Sequence, residues 1–366
     1  MSKAAELAAL IGSQTALSNR NLIINGAMQV AQRGTSQASI TSTGYTTLDR
    51  FRCVVQYATF TKSQSTDVPS GQGFASSLKM ACTTSASPAA SNILRVDQRI
   101  EGQNLQQLKK GTANAESLTL SFWVKSNKTG TYIVELSDED NSRHICKSYT
   151  ISSSGVWQKV ELTYSGDTSG AFDNDNSVSL GVHFWLGGGS NYTGGTLATS
   201  WASLTAANRA VGQVDFADSN TNEWYITGVS LEIGEQATPF EHRSFGDELA
   251  ACMRYYQQVG GAGNTLALGQ CSSATQAQFF YPLPHPVRAD ATVSVNNATY
   301  FRVFNAAISG IPAVTSMGFS LLGLAGNNGF RITATVASGL SAGDASHLYG
   351  NDASGNAGII KIDAEL

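Results

Sequence analysis

The sequence predicts an all-β chain: a jelly-roll β-sandwich, a short linking helix and a second, smaller β-sandwich. Three observations carry this. Short runs alternate apolar and polar residues and are separated by polar turns. Charged residues make up only 14% of the 366, where ordinary domains carry about a quarter. Helical surfaces need Lys and Glu, whereas strand and loop surfaces can be covered by Thr, Ser and Asn. Finally, one segment with helical spacing interrupts two β-rich stretches. The expected division is an attachment segment over 1–20, the jelly roll over 21–244, the linking helix and a Gly-rich junction over 245–263, and the C-terminal β domain over 264–366.

The elements follow in order. Residues 3–17 read as a short Ala-rich helix with Leu7, Leu10, Ile11 and Leu17 near helical spacing. It is too short to be stable alone and must pack on something. Asn21 to Gly26 reads as a strand ended by a turn, and Leu48 to Phe60 as a second strand region. Leu118, Leu120, Phe122 and Val124 alternate with Thr119, Ser121 and Trp123. Tyr132–Leu136, Trp157–Tyr164, Val178–Phe184 and Trp224–Leu231 continue the series. Such alternation marks sheets with one face in the core. Over 245–259, Phe245, Leu249, Cys252, Met253 and Tyr256 recur at helical spacing, with Ser244 as N-cap and Asp247 three residues on. Gly260 to Gly263 then breaks the pattern. Beyond it, strands are expected at Gln276–Tyr281, Thr292–Val295, Tyr300–Phe304, Gly318–Leu322, Phe330–Val336 and Gly358–Ile362.

Composition excludes several classes. Net charge is −4 and no basic run exceeds Lys109-Lys110, so no nucleic-acid stripe is present. No apolar stretch approaches the roughly 20 residues of a membrane-spanning helix. Glu6 stands where a signal peptide would want an apolar core, so the chain is expected to be made and folded in a cytoplasm. The five cysteines are scattered without a C-x-x-C pair and read as buried thiols. No two of the five histidines have metal-ligand spacing, and there is no G-x-S-x-G elbow or phosphate loop. Gly187-Gly188-Gly189 reads as a flexible surface loop.

Two acidic clusters, Asp138-Glu139-Asp140-Asn141 and Asp173-Asn174-Asp175-Asn176, fall in turns. Neighbouring carboxylates on one loop do not flank a sugar bond from both sides, as glycoside hydrolysis requires. They read as solvated turns, with a structural Ca2+ held by Asp138, Asp140, Asp173 and Asp175 as the alternative. Trp185, Tyr192 and Trp201 lie in or beside a Gly/Ser/Thr/Asn-rich stretch over 185–208. Indole and phenol rings stack on the C–H faces of sugars, so this stretch is a candidate glycan-binding loop; core or interface packing is the competing reading. Trp123 lies opposite the apolar face of its strand, a position that suits burial at an interface.

Two blocks carry a resemblance. One is Asn21-Leu22-Ile23-Ile24-Asn25-Gly26-Ala27-Met28-Gln29-Val30-Ala31-Gln32-Arg33-Gly34, followed by Gly44 to Phe51. The other runs from Gly228-Val229-Ser230-Leu231 through Thr238-Pro239-Phe240-Glu241-His242-Arg243-Ser244-Phe245-Gly246-Asp247-Glu248-Leu249 to Tyr256. Together they resemble a family of phage tail-fibre-like virion proteins that join a carbohydrate-binding-module-like jelly roll to a variable C-terminal domain. The resemblance implies a non-enzymatic structural protein of a bacteriophage virion, assembled in the bacterial host cytoplasm. Its expected role is in a tail fibre or receptor-binding component that attaches to host surface glycan. A capsid decoration or head-fibre protein is the alternative, and a polysaccharide depolymerase stands third. The expected partners are a homotrimer and other virion proteins of tail or capsid, with no cofactor beyond the structural Ca2+ just named. The family carries no agreed catalytic residues, and none is assigned. Because a jelly roll brings its first and last strands into one sheet, the blocks near 22 and 229 are expected to be neighbours. Asp49-Arg50 is read as a buried pair or cap, and Phe240 as a pin for an extended exit from the sheet.

Overall fold

The structure is a computed structural model and describes residues 20–261, 263–305, 311–321, 328–352 and 354–366. The helix expected over residues 3–17, with the attachment role given to 1–20, lies outside the described residues apart from Arg20. The chain divides into two compact units, Met1–Glu248 with Leu366, and Leu249–Glu365.

Thirteen described strands build the first unit: β1 (Ser36–Ile40), β2 (Gly44–Tyr45), β3 (Arg52–Val55), β4 (Thr59–Ser65), β5 (Ser77–Thr84), β6 (Ile93–Glu101), β7 (Leu118–Ser126), β8 (Gly130–Asp138), β9 (Arg143–Ile151), β10 (Gln158–Tyr164), β11 (Val178–Gly188), β12 (Ala202–Ser203) and β13 (Glu223–Ile233). They form two antiparallel sheets, in the orders β1-β4-β5-β13-β7-β10 and β12-β9-β8-β11-β6-β3-β2. Alternation puts Leu118, Leu120, Phe122 and Val124 of β7 inside, facing Val134 and Leu136 of β8 and Val182 and Phe184 of β11. Phe122 meets Phe184 edge-on across the sandwich at 5.3 Å. Each such ring or branched chain contributes about 1.5–3 kcal/mol by leaving water. This is the jelly-roll sandwich of the sequence reading.

The expected neighbourhood of the two sequence blocks is present, but Asn21–Gly26 is not a regular strand. It is an extended segment stitched to β13: Leu22 N donates to Leu231 O at 3.0 Å, and Val229 N to Gly26 O at 3.0 Å. Asn21 fills the gap with its amide, donating to Val229 O and accepting from Leu231 N, both at 3.0 Å. The side chain supplies ladder bonds that the irregular backbone cannot, which is why the block is not a strand. The Leu48–Phe60 region splits into β3 and β4. Asp49 and Arg50 are both buried; Asp49 meets Arg33 at 3.6 Å, and Arg50 donates to Arg99 O at 2.6 Å.

A helix, α2, spans Phe245–Met253, after a single turn α1 at Ser190–Thr193. Ser244 caps α2, with its Oγ accepting from Asp247 N at 3.1 Å. The helix ends earlier than the 245–259 expected, because Tyr256–Gly260 is strand β14. Phe245, placed on the apolar face by spacing, is 56% exposed.

The second unit holds β14 (Tyr256–Gly260), β15 (Thr265–Cys271), β16 (Gln276–Pro282), β17 (Thr292–Val295), β18 (Arg302–Asn305), β19 (Val314–Leu321), β20 (Gly329–Val336), β21 (Ala345–Tyr349) and β22 (Ile359–Asp363). They make a three-stranded sheet, β14-β22-β17, and a six-stranded sheet, β18-β21-β15-β16-β20-β19. Phe279, Phe301, Phe330, Ile332, Leu348, Ile360 and Ile362 form their shared core. All five cysteines are buried, and none is in a disulfide.

Candidate functional site

The outer face of the six-stranded sheet in the first unit carries the candidate site. Period-two alternation turns Ser121 and Trp123 of β7 outward. Register sets Trp123 between Thr227 of β13 and Lys159 of β10. The ladder between β13 and β7 then slips between Thr227 and Ser230, and Gly228 takes φ +62° at the slip. A residue with a Cβ is strained in that conformation. The Phe74 ring uses the space: a Cβ on Gly228 would come 2.5 Å from its tip.

Phe74 anchors a wall. Its ring meets Phe240 edge-on at 5.1 Å and His242 at 5.2 Å, and Phe240 meets His242 at 4.9 Å. Phe240 thus pins the extended 237–242 segment, as the sequence suggested. Between this wall and the half-exposed Trp123 lies a groove of about 510 Å³. Gln72, Lys159 and Thr238 add polar groups, and none of its lining residues is a carboxylate. Trp123 has no ring partner among the described residues. Its neighbours differ: Trp157 donates to Asp67 at 3.0 Å, and Lys125 lies 4.5 Å over the Tyr225 ring. The groove therefore offers one uncommitted indole, an aromatic wall and the Gln72 amide, while the Thr238 hydroxyl is engaged by Arg20 and Glu232 and the Lys159 ammonium by Glu161 at 2.7 Å. That combination suits a polyhydroxylated ring with an apolar face.

The opposite sheet turns a charged face outward and closes it. Glu135 of β8, fully buried, accepts from His144, His183, Trp185 and both ends of the Arg209 fork at 2.7–3.2 Å. Burial pushes its pKa up, but the two histidine bonds and Arg209 outweigh that and hold the carboxyl well below its usual range. Asp97 receives Arg52 through two bonds of 2.9 and 2.8 Å and Arg95 at 3.2 Å. Here too burial opposes, yet Arg95 and Arg52 win and the pKa is lowered to about 2. Burial and then Arg95 push His183 down. Glu135, His144 and Cys146 lie close enough to share a metal ion. Five donors already occupy the carboxylate, so the cluster reads as a satisfied polar core.

This face corrects one of the aromatic assignments made from sequence, that of Trp185. Trp185 is fully buried, with Arg95 and Arg209 at 5.6 and 5.5 Å from its ring, so it offers no surface to a sugar. Tyr192 is half-buried 5.7 Å from Trp185. Trp201 lies apart from them, donating to Ser165 O at 2.7 Å with Lys110 5.7 Å over its ring. Gly187 is buried within the end of β11 and Gly189 is buried just beyond it, so that triplet is not a surface loop. Sequence reasoning passed over Phe74 and His242, whose signal is the bulge glycine that makes room for the ring.

The acidic turns do meet. Asp140 Oδ2 accepts from Asp173 N at 3.0 Å, and Asn141 donates to Ala171 O at 2.8 Å. Asp138, however, is buried against the Lys110 ammonium, an ion-pair contact of 2.6 Å without good hydrogen-bond alignment. The same ammonium reaches Asp167 at 3.1 Å and the carbonyls of Ser169 and Gly170 at 2.8 and 2.7 Å. Two carboxylates and two carbonyls around one cation are the donors a Ca2+ would want. Lys110 supplies that charge beside Asp138. Asp173 and Asp175 are exposed, and Asp175 accepts from Ser177 N at 2.8 Å.

No protein-family profile matches the chain, and no characterised protein matches it in sequence. Among solved structures it is similar to the enzymatically active domain of tailspike protein 4 from bacteriophage CBA120, at 14% identity and TM-score 0.31 over 58% of this chain and 21% of that one. It is also similar to a Bacteroides thetaiotaomicron protein to which sugar binding has been ascribed, at 13% identity and TM-score 0.34 over 58% of this chain and 99% of that one. A family 11 carbohydrate-binding module from Clostridium thermocellum follows, at 13% identity and TM-score 0.24 over 62% and 100%. The chain spans about a fifth of the tailspike domain it matches. The chain's own strand order is what defines its architecture.

Proposed function

We propose that this chain is a non-enzymatic saccharide-binding protein, a structural component of a bacteriophage tail fibre or receptor-binding apparatus that attaches to host surface glycan. The observation that carries the binding role is the groove between Trp123 and the Phe74–Phe240–His242 wall. Its indole has no other ring to stack on among the described residues, and it lies on a rigid sheet, so little ordering entropy is lost on binding. The phage assignment rests on the two sequence blocks, and the homotrimer on the Ala-rich stretch over 3–17 and the sparse charge of the chain. Among the described residues no helix is long and apolar enough to cross a membrane.

The test is direct. The indole N–H resonance of Trp123, identified by its loss in Trp123→Phe, is followed while oligosaccharides from host surface polysaccharide are added. The proposal expects that signal to shift, with those of Trp185 and Trp224 unmoved. Shifts confined to other tryptophans would move the site elsewhere. Immunogold labelling of intact particles tests the virion role, and label on the capsid would favour a decoration protein.

A further inference from the structure

The six-stranded sheet of the second unit has an outward row that is at odds with ordinary strand surfaces. Antiparallel register lines up Phe304 of β18, His347 of β21, Leu268 of β15, Phe280 of β16 and Arg331 of β20 across the sheet. Leu268 is 74% exposed and Phe280 47% exposed. Large apolar side chains grouped on an open face mark contact surfaces. Beside them, Gln270 and Gln278 pair across β15 and β16. Together with Arg331 these groups line a shallow depression of about 420 Å³.

The charge on this sheet is one-sided. Its six strands contain Arg302, Arg331 and His347 but no Asp or Glu, although the whole chain carries −4. Acids enter only in the turns, with Asp344 before β21 and Asp352 after it. Asp352 is held below the usual carboxylate range, first by Asn356 and in smaller part by Arg302. Arg331 has no carboxylate partner among the described residues, and it lies next to the exposed Phe280.

We propose that this face is a second saccharide-binding site, independent of the groove in the first unit and selective for a sugar bearing a carboxylate. Phe280 and Leu268 form the platform for the apolar face of the ring. Arg331 takes the carboxylate through its fork, the geometry that makes arginine suited to this group. Gln270 and Gln278 present amide donors and acceptors to hydroxyls. A neutral glycan would give the Arg331 fork no anion to pair with, and a second copy meeting this face about a two-fold axis would bring no Asp or Glu of the six strands to it.

The experiment uses the full chain in affinity electrophoresis through gels containing polygalacturonate, alginate or polysialate, with fully methyl-esterified polygalacturonate as the uncharged control. Expected is retardation by at least one acidic polymer, none by the ester, and weakening as salt rises. Arg331→Ala reduces the apparent affinity about tenfold, equal to about 1.4 kcal/mol, and Phe280→Ala does likewise. Arg331→Lys retains part of the binding. Equal retardation by the ester, or an Arg331→Ala variant that binds as the parent does, overturns the proposal. So does failure to bind all three acidic polymers. If that failure is accompanied by a change of oligomer size in Phe280→Asp, measured by light scattering, the face is an interface between copies instead.

Discussion

Phe74 lies on Gly228, where a Cβ would stand 2.5 Å from the tip of the ring. The contact ties the 67–76 segment to the bulge in β13 and gives the groove its wall. It also makes the glycine necessary twice over, for its positive φ and for its lack of a side chain.

Gly228→Ala is therefore expected to cost about 1–3 kcal/mol through strain and overpacking. It should also loosen the Phe74–Phe240–His242 cluster. Urea denaturation monitored by tryptophan fluorescence measures the first effect. A variant as stable as the parent would mean that Phe74 moves aside freely and builds no wall.

Lys110 neutralises Asp138 and Asp167 from inside the fold. Lys110→Ala leaves Asp138 without its ion-pair partner and should destabilise by about 3–5 kcal/mol, as removal of one member of a buried pair does. The vacated cage keeps two carboxylates and two carbonyls. Millimolar Ca2+ should then raise the melting temperature of the variant and leave that of the parent unchanged. Equal responses of the two proteins to Ca2+ would contradict the account of Lys110 as the resident cation.

Acid should weaken the first unit in two stages. His183 is held below its ordinary pKa by burial and Arg95, so the unfolded chain takes up a proton near pH 6.5 that the folded chain refuses. Glu135 and Asp97 are also depressed, Asp97 to about 2. Their stabilisation is present above about pH 4 and is lost as pH falls toward the folded values. Stability rises with pH wherever the unfolded state holds more protons. Urea midpoints should fall between pH 7 and 5, and more steeply below pH 4. His183→Gln should flatten the first fall. A midpoint that climbs on acidification from pH 7 to 5 would show that the histidine gains its proton in the folded state.

Period two was readable because each sheet of the sandwich has one face in the core. Leu118–Val124, Val178–Phe184 and Trp224–Leu231 all became strands with the expected inward residues. In the second unit the six expected strands are present within a few residues. Thr265–Cys271 and Ala345–Tyr349 were passed over because glycine, alanine and histidine blur the alternation. The site was less legible. Trp185 lay in a loop-like composition, yet its indole N–H answers Glu135, a residue 50 positions away that only strand pairing brings near. Phe74 and His242 gave no local signal, because their meeting depends on a bulge 14 residues before His242. The ion cage was visible as acids but not as a cage, since Lys110 comes from a different segment.

The most direct measurement is binding of the full-length protein and its Trp123→Ala variant to an array of bacterial surface glycans, with far-UV circular dichroism confirming that both are folded. The variant should keep its stability, because Trp123 is half-exposed and stacks on no other ring among the described residues. The parent should bind at least one saccharide through the first unit, and the variant should bind it at least about tenfold more weakly, in line with the loss of an aromatic anchor. A folded Trp123→Ala protein that binds every glycan as the parent does would contradict this expectation.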